Sequence, residues 1–306
     1  SATFVVMPFG QYLIAADLDI GILFVVAVTS LVTIGLMTGG WASNNKWSLL
    51  GGIRSAAQII SYEIPGAVAV VCLVMMTGSL RMQDLIAAQG GPGDSFISAG
   101  GWPWYWYVFR NPVTFGLFFL YFTTALAEGN RAPFDLPEAE SELVAGYSTE
   151  YSGMRYLFFF FAEWANVFIM CAIAAALFFG GWYVPGFSPA EHESNALVGW
   201  AGTALYLMKS WALVAIVMTK RVSLPRLRAD LVLRFAVRFG LPLSILGLGL
   251  TALQTFYPPM PTVALMMNGV TLAATTALVF LFVTRVVTAS RATRSTTTKT
   301  ASSALI

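Results

Sequence analysis

The chain has 306 residues, of which 57% are hydrophobic and 10% charged, and its mean hydropathy is +0.72. Soluble domains carry about 25% charged residues, so the composition excludes an ordinary soluble domain and predicts an all-α polytopic membrane protein. The net charge of +2 is too small to indicate a nucleic-acid partner. Cys72 and Cys171 each lie alone in an apolar run, and the chain has only one histidine. We therefore expect neither a disulfide nor a metal site.

Seven segments are long and apolar enough to span a membrane, which takes about 20 residues. In chain order they are residues 20–40, 64–79, 111–127, 156–179, 196–219, 239–256 and 263–284. The prolines within 257–261 divide the last two, since clustered prolines do not continue a helix. Residues 1–14 read as the end of an eighth span whose beginning is absent, so we expect seven full helices and part of another.

The basic residues predict which loops lie inside. Fourteen of the seventeen lysines and arginines fall in segments 41–59, 130–155 and 220–238 and in the tail after 284. By the positive-inside rule these segments and the C-terminus lie on the inner side. We therefore expect one transmembrane domain over 1–287 and, because residues 288–306 are polar with little to bury, a disordered tail.

Acidic residues concentrate in one predicted inner loop. Six of the chain's fifteen acids lie between residues 127 and 153, and Glu163 follows in the next apolar segment. Asp135 and Glu138 have the spacing of a helix capping box. Glu138 and Glu142 then share a helical face, where like charges repel and titrate as a coupled set. This pattern favours a proton relay, and the alternative is a solvated acidic helix on the inner surface.

Further ionisable residues are associated with the apolar spans. Glu63 opens the second span and Glu128 closes the third, while Glu163 and Lys209 lie too deep to reach the surface easily. Such residues are expected to face the helix bundle or a wet cavity and to be functional, with a static salt bridge as the alternative. His192, between two glutamates in an outer loop, is expected to be a solvated loop residue.

Several motifs resemble one known family. PFDLPEAESELVAG at 133–146 and EYSG at 150–153 are similar to the signature loop of the H subunit (NuoH or NdhA) of proton-pumping NADH:quinone oxidoreductase, respiratory complex I. WASNNKWSLLGGIRSAAQIISYEIP at 41–65 and LPRLRAD at 224–230 resemble two other inner loops of that family. The resemblance departs at Ala229, Val237 and Arg238, where the family usually has Tyr, Trp and Lys, and in lacking the family's first helix.

The resemblance implies a translocase component that binds no cofactor itself. It would help form the chamber for quinone (ubiquinone, menaquinone or plastoquinone) and the acidic path that couples quinone reduction to proton translocation. FMN and iron–sulfur clusters would lie in partner subunits, and the partners would be the peripheral quinone-site and iron–sulfur subunits, small membrane-arm subunits and lipid. The implied location is a bacterial inner membrane or, as the alternative, an organellar inner or thylakoid membrane.

The residues assigned to the path combine the resemblance with the acids found above. The proton path and quinone coupling would use Glu63, Glu128, Asp135, Glu138, Glu140, Glu142, Glu150 and Glu163. The candidate counter-charges are Arg54, Arg131 and Lys209.

Two other functions remain open at this point. One is that of the equivalent component of a membrane-bound hydrogenase or formate hydrogenlyase, which we expect to lack the intact PFDLPEAE run. The other is a stand-alone ion-coupled transporter, whose expected marks are inverted repeats and helices broken at mid-membrane.

Overall fold

The regular structure of the protein is helical throughout the part that the computed structural model describes, which is residues 2–91, 101–131, 133–136, 145–188, 191–192, 195–223 and 227–256. The α-helices are α1 (Gly21–Ala42), α2 (Lys46–Thr77), α3 (Met82–Ala87), α4 (Tyr107–Arg110), α5 (Pro112–Glu128), α6 (Met154–Phe178), α7 (Ala196–Ser223), α8 (Ala229–Phe235) and α9 (Leu241–Phe256). A π-helical turn, Ala236–Gly240, joins α8 to α9, and short 3₁₀ helices cover Ala2–Val5, Pro103–Tyr105 and Gly146–Ser148.

The helices confirm the predicted class of protein. Among the described residues, α1, α2, α6, α7 and the continuous helix Ala229–Phe256 are long and apolar enough to cross a membrane. Helix α5 is equally apolar but has only 17 residues. These six helices coincide with six of the predicted spans, whereas the seventh, 263–284, lies outside the described residues, so the count of seven remains a prediction.

Helix ends extend well beyond the predicted apolar spans. The predicted inner loop 41–59 is mostly the first half of α2, which leaves only residues 43–45 between α1 and α2. The predicted loop 220–238 is likewise mostly helical, because α7 runs to Ser223 and helix resumes at Ala229. A search for continuous apolar runs stops at the first charges, but a helix continues for as long as its backbone groups are paired.

The N-terminal prediction is wrong in extent. Only Ala2–Val5 is helical, as a four-residue 3₁₀ helix, and residues 6–20 form no α-helix. Pro8 lacks a backbone donor for a helix, and the residues after it form bends and turns. Gly10 in this segment lies close to Thr203 of α7.

Helix α2 lies at the centre of the bundle and packs against α1, α5 and α9. Small residues allow the close approach: a Cβ on Gly40 of α1 would stand 3.2 Å from the Gly52 Cα of α2. Pro65 lies inside α2, buried against Gly240 of the π-helical turn. This packing places the middle of α2, where Glu63 lies, inside the bundle.

Candidate functional site

Two of the predicted acids, Glu63 and Glu128, line one cavity. The cavity has a volume of about 30 Å³ and lies between α1, α2, α5 and α6, which is room for one or two water molecules. Glu63 comes from the middle of α2 and Glu128 from the last residue of α5. Gly66, one turn after Glu63, lies beside Glu128, since a Cβ there would be in van der Waals contact with Glu128 Oε1 at 3.6 Å. Two carboxylates thus share a space in which water can carry a proton.

A second site is built around Glu163. Its side chain is only 7% exposed, and Arg131, 5% exposed, approaches it with Nη2 3.8 Å from Oε2. Tyr147 donates a hydrogen bond to the other carboxylate oxygen, Oε1. The Arg131 guanidinium also stacks over the Trp164 ring at 4.7 Å. Burial makes an unpaired charge unfavourable here, so the arginine stabilises the ionised form of Glu163.

One face of α6 connects the two sites. Glu163, Asn166 and Met170 follow one another at helical spacing, all three are buried, and Met170 lines the cavity that holds Glu63 and Glu128. Asn166 Nδ2 contacts the backbone carbonyl of Glu128 at 3.4 Å. The buried face of α6 therefore runs from Glu163 to the cavity that the half-buried Glu63 and Glu128 line.

The remaining predicted acids occupy different environments. Asp135 is half-buried, while Glu150 is exposed and accepts a hydrogen bond from Asn45 Nδ2 at 2.7 Å. Glu138, Glu140 and Glu142 lie outside the described residues, as does most of the capping-box helix predicted for them.

The candidate counter-charges also differ from one another. Arg131 pairs with Glu163, and Arg54 lies half-buried on α2. Lys209 departs from its predicted role. In place of a carboxylate, it binds the carbonyl oxygens of Phe179 and Gly181 at 2.8 and 3.0 Å, and it lies over the Trp106 ring. Its partners are carbonyls beyond the end of α6, where the helix itself supplies no donor.

Sequence reasoning missed three polar residues. Tyr147 completes the Glu163 site, and Gln58 bonds the carbonyls of Ala127 and Phe134, both at 2.7 Å. His192, predicted to be solvated, is wholly buried, with Nε2 accepting from Val184 N and Nδ1 3.0 Å from Ser188 O. The aromatic rings of Trp182, Tyr183 and Phe187 surround it. No sequence pattern marks the partners of Tyr147 and Gln58, which come from other elements of the fold, whereas His192 has its partners in its own connecting segment.

Metal ligands are not clustered in the part of the chain described above. Within those ranges, no group of three or more His, Cys, Asp and Glu side chains is arranged to hold a metal ion.

The helices and the buried carboxylates define a multi-pass helical membrane protein with ionisable groups in its interior. Comparison with known proteins is more specific. The family model for NADH dehydrogenase matches residues 1–252. The H subunit of the NADH-quinone oxidoreductase of Anaeromyxobacter dehalogenans is 44% identical over 283 residues, covering 89% of this chain and 66% of the relative.

The corresponding H subunits of Chlorobaculum tepidum and Geobacillus thermodenitrificans are each 42% identical, over 253 and 247 residues. The matches cover 82% and 80% of this chain and 68% and 67% of those relatives, so the chain spans about two thirds of their length. The chain belongs to the family of NADH-quinone oxidoreductase H subunits, which are membrane components of an enzyme complex. The predicted family is therefore confirmed.

Proposed function

We propose that this protein couples the reduction of quinone to proton translocation, with its buried carboxylates as the path of the proton. The observation that carries the proposal is the pairing of Glu63 with Glu128 around a water-sized cavity. Proton transfer needs groups within hydrogen-bond reach, directly or through one water. Two carboxylates from different helices on one small cavity meet that need.

Glu163 supports the proposal because it stands between residues 131–153, here called the acidic segment, and this cavity. Arg131, at the start of that segment, neutralises it, and the buried face of α6 leads from it to Met170. A proton that enters from the acidic segment would meet Glu163 first and the Glu63–Glu128 pair next. Asp135, Glu138, Glu140, Glu142 and Glu150 form the entrance in this proposal.

Membership of the family supports proposals for the quinone and for the partner subunits. Quinone is the substrate, it enters a chamber that the inner segments help to form, and partner subunits hold the FMN and the iron–sulfur clusters. The relatives are named as subunits of an oxidoreductase, which supports other subunits of the complex as partners. We place the protein in a bacterial inner membrane with the inner segments and the C-terminus on the cytoplasmic side, which reporter fusions at the C-terminus would test.

The central experiment neutralises the path one acid at a time in the intact complex. Glu63→Gln, Glu128→Gln and Glu163→Gln keep the side-chain volume but remove the titratable group. Each should leave the complex assembled and lower quinone reductase activity and proton pumping together. Glu191→Gln, which neutralises an exposed acid on the predicted outer side, is the control and should keep wild-type rates.

The proposal requires that Glu63→Gln and Glu128→Gln are both impaired. Wild-type reductase and pumping rates in assembled Glu63→Gln and Glu128→Gln complexes would remove both residues from the path. Isolation of the protein from native membranes tests the wider assignment, since purification without iron–sulfur subunits would favour a stand-alone transporter.

A further inference from the structure

Both ends of the acidic segment meet at the same carboxylate. Arg131 stands at its start and Tyr147 near its end, sixteen residues later in the chain, and each contacts one oxygen of Glu163 on α6. All three side chains are buried: Arg131 is 5% exposed, Tyr147 1% and Glu163 7%. A displacement of either end of the segment would therefore change the surroundings of Glu163.

Helix α2 contacts the backbone of Tyr147 and fixes its position. Ser48 Oγ donates to the Tyr147 carbonyl at 2.9 Å. Gly51 leaves the space for this contact, because a Cβ there would stand 2.7 Å from the backbone nitrogen of Tyr147. The ring packs edge-on against Phe159 with centroids 5.6 Å apart. The hydroxyl therefore reaches Glu163 from a backbone that is fixed against a long helix.

The two partners of Glu163 respond differently to a proton. Arg131 is attracted only to the ionised carboxylate, so the ion pair weakens when Glu163 binds a proton. A tyrosine hydroxyl donates to a carboxylate, and it can also donate to the carbonyl oxygen of a protonated carboxyl group. Tyr147 can hold the carboxyl group in both protonation states, whereas Arg131 holds it in one.

We infer that Tyr147 is a positioning residue for proton transfer. Its hydroxyl keeps the Glu163 carboxyl group in place while the ion pair between Glu163 and Arg131 is lost and regained. The inference rests on the proposed function and deepens it by naming the group that fixes Glu163. No bond to Tyr147 is made or broken, and its hydroxyl proton stays with it. Without the hydroxyl, the protonated side chain of Glu163 would lose its place against the acidic segment.

The test is Tyr147→Phe in the intact complex, with Tyr151→Phe as the matched control. Tyr151 packs against the same Phe159 ring, at 4.9 Å, but its hydroxyl bonds the Gly39 carbonyl at 2.8 Å. Both variants lose one hydroxyl and keep the aromatic ring. We expect Tyr147→Phe to lower turnover roughly tenfold, the scale of a hydrogen bond to a charged group, with the KM for quinone unchanged. Tyr151→Phe should lower turnover by less than about twofold, the scale of a weak neutral hydrogen bond.

A double-mutant cycle separates positioning from structure. In a Glu163→Gln background, adding Tyr147→Phe should cause no further loss, because the group that Tyr147 positions no longer transfers protons. Glu163→Asp is the second variant: it keeps the charge but withdraws the carboxylate from Tyr147, and it should reproduce the loss in turnover even if Tyr147→Phe assembles poorly.

The outcomes distinguish this inference from the proposed function. Wild-type turnover in Tyr147→Phe, with Glu163→Gln impaired, would overturn the role of Tyr147 and leave the proton path intact. Independent, multiplicative losses in the double mutant would also overturn it. If Glu163→Gln itself has wild-type rates, the proposed role of Glu163 fails first.

Discussion

The two ends of α6 differ in their burial and in the polar groups that contact them. At the C-terminal end, predicted to be the outer end, residues 171–178 are all buried, and neutral or cationic donors reach the terminal carbonyls. Gln89 Nε2 lies 3.1 Å from Ala176 O and 3.2 Å from Leu177 O. Lys209 binds the carbonyls of Phe179 and Gly181, which follow the helix. At the inner end, residues 152–158 are exposed and a buried ion pair with a tyrosine stands at Glu163.

The difference separates a fixed end from one that can change state. Backbone carbonyls do not titrate, and neither does the Gln89 amide that donates to two of them, so these contacts persist through any proton movement. On the side predicted to be outer, Arg81 also donates to Asp17, and this hydrogen bond raises the pKa of the guanidinium. The Glu163–Arg131 pair, in contrast, depends on the charge of a group that can gain a proton. We therefore expect proton transfer to alter the inner end while the outer end stays unchanged.

The largest expected effect comes from Arg131→Met, which keeps a long, unbranched side chain and removes its charge. Glu163 would then be buried without its counter-charge, and breaking a buried pair in this way costs about 3–5 kcal/mol. We expect less assembled complex in the membrane and a loss of reductase activity of roughly tenfold or more, measured by quantifying the subunits and by quinone reduction.

The double variant Arg131→Met/Glu163→Gln provides the control for Arg131→Met. It removes both charges, so it should recover assembly relative to Arg131→Met alone, although its activity should stay low. Equal assembly of the single and double variants would mean that the ion pair contributes nothing to the stability of the inner end.

Lys209→Met tests the outer end and should have a smaller effect. The substitution leaves the carbonyls of Phe179 and Gly181 without their donor, and interhelical hydrogen bonds in membranes contribute about 0.6 kcal/mol each, up to about 1.7. We expect a lower Tm for the complex but a wild-type rate for each assembled complex. A loss of coupled pumping like that expected for Glu163→Gln would instead support Lys209 as a counter-charge of the proton path, as predicted from the sequence.

The fold was largely predictable because a membrane constrains sequence so strongly. Six predicted spans match helices, since a spanning segment must be apolar and must pair its own backbone groups. The helical half of α2 before Ile60 was not predictable from hydropathy. Its small and polar residues, among them Ser48, Gly51 and Gln58, meet neighbouring chain segments rather than lipid, and nothing in a hydropathy profile records that contact.

The site was predictable by residue type but not by partner. Acids in or beside apolar spans are rare enough that Glu63, Glu128 and Glu163 stand out in the sequence alone. How α2, α5 and α6 pack decides that Glu63 lies beside Glu128 and that Glu163 meets Arg131 and Tyr147. Lys209 shows the limit of the same reasoning, because a buried cation can be satisfied by carbonyl oxygens as well as by a carboxylate.

The next expected effect concerns the acids of the segment 135–150, which sharpen the contrast at the inner end. Glu138 and Glu142 lie outside the described residues, and the prediction rests on their spacing in the sequence. If they form a coupled set, removing one charge reduces the repulsion on the other. The activity losses of Glu138→Gln and Glu142→Gln, expressed as free energies, should then differ from one another and fail to add in the double variant. Simple additivity would show that the two residues act independently.

The smallest expected effect is a change in hydrogen exchange across 131–153 when a quinone-site inhibitor binds the intact complex. A ligand shifts such a segment only if it interacts differently with two states of it, and exchange of carboxylate partners would provide that difference. The anchors on α2 set the limits of the change. Gln58 holds the Phe134 carbonyl and Ser48 holds the Tyr147 carbonyl, so the amide of Phe134, which bonds Arg131 O at 2.8 Å, should keep its protection.

Gln58→Leu gives that experiment its matched variant, because it nearly preserves the volume of the side chain but removes the donor to Phe134. Exchange near Phe134 should then become faster with and without the inhibitor, while exchange near Tyr147, held by Ser48, stays the same. Identical protection of the wild-type segment with and without inhibitor would favour a rigid relay, in which protons move along fixed groups. In that case the contrast between the ends of α6 would be one of charge alone, with no difference in motion.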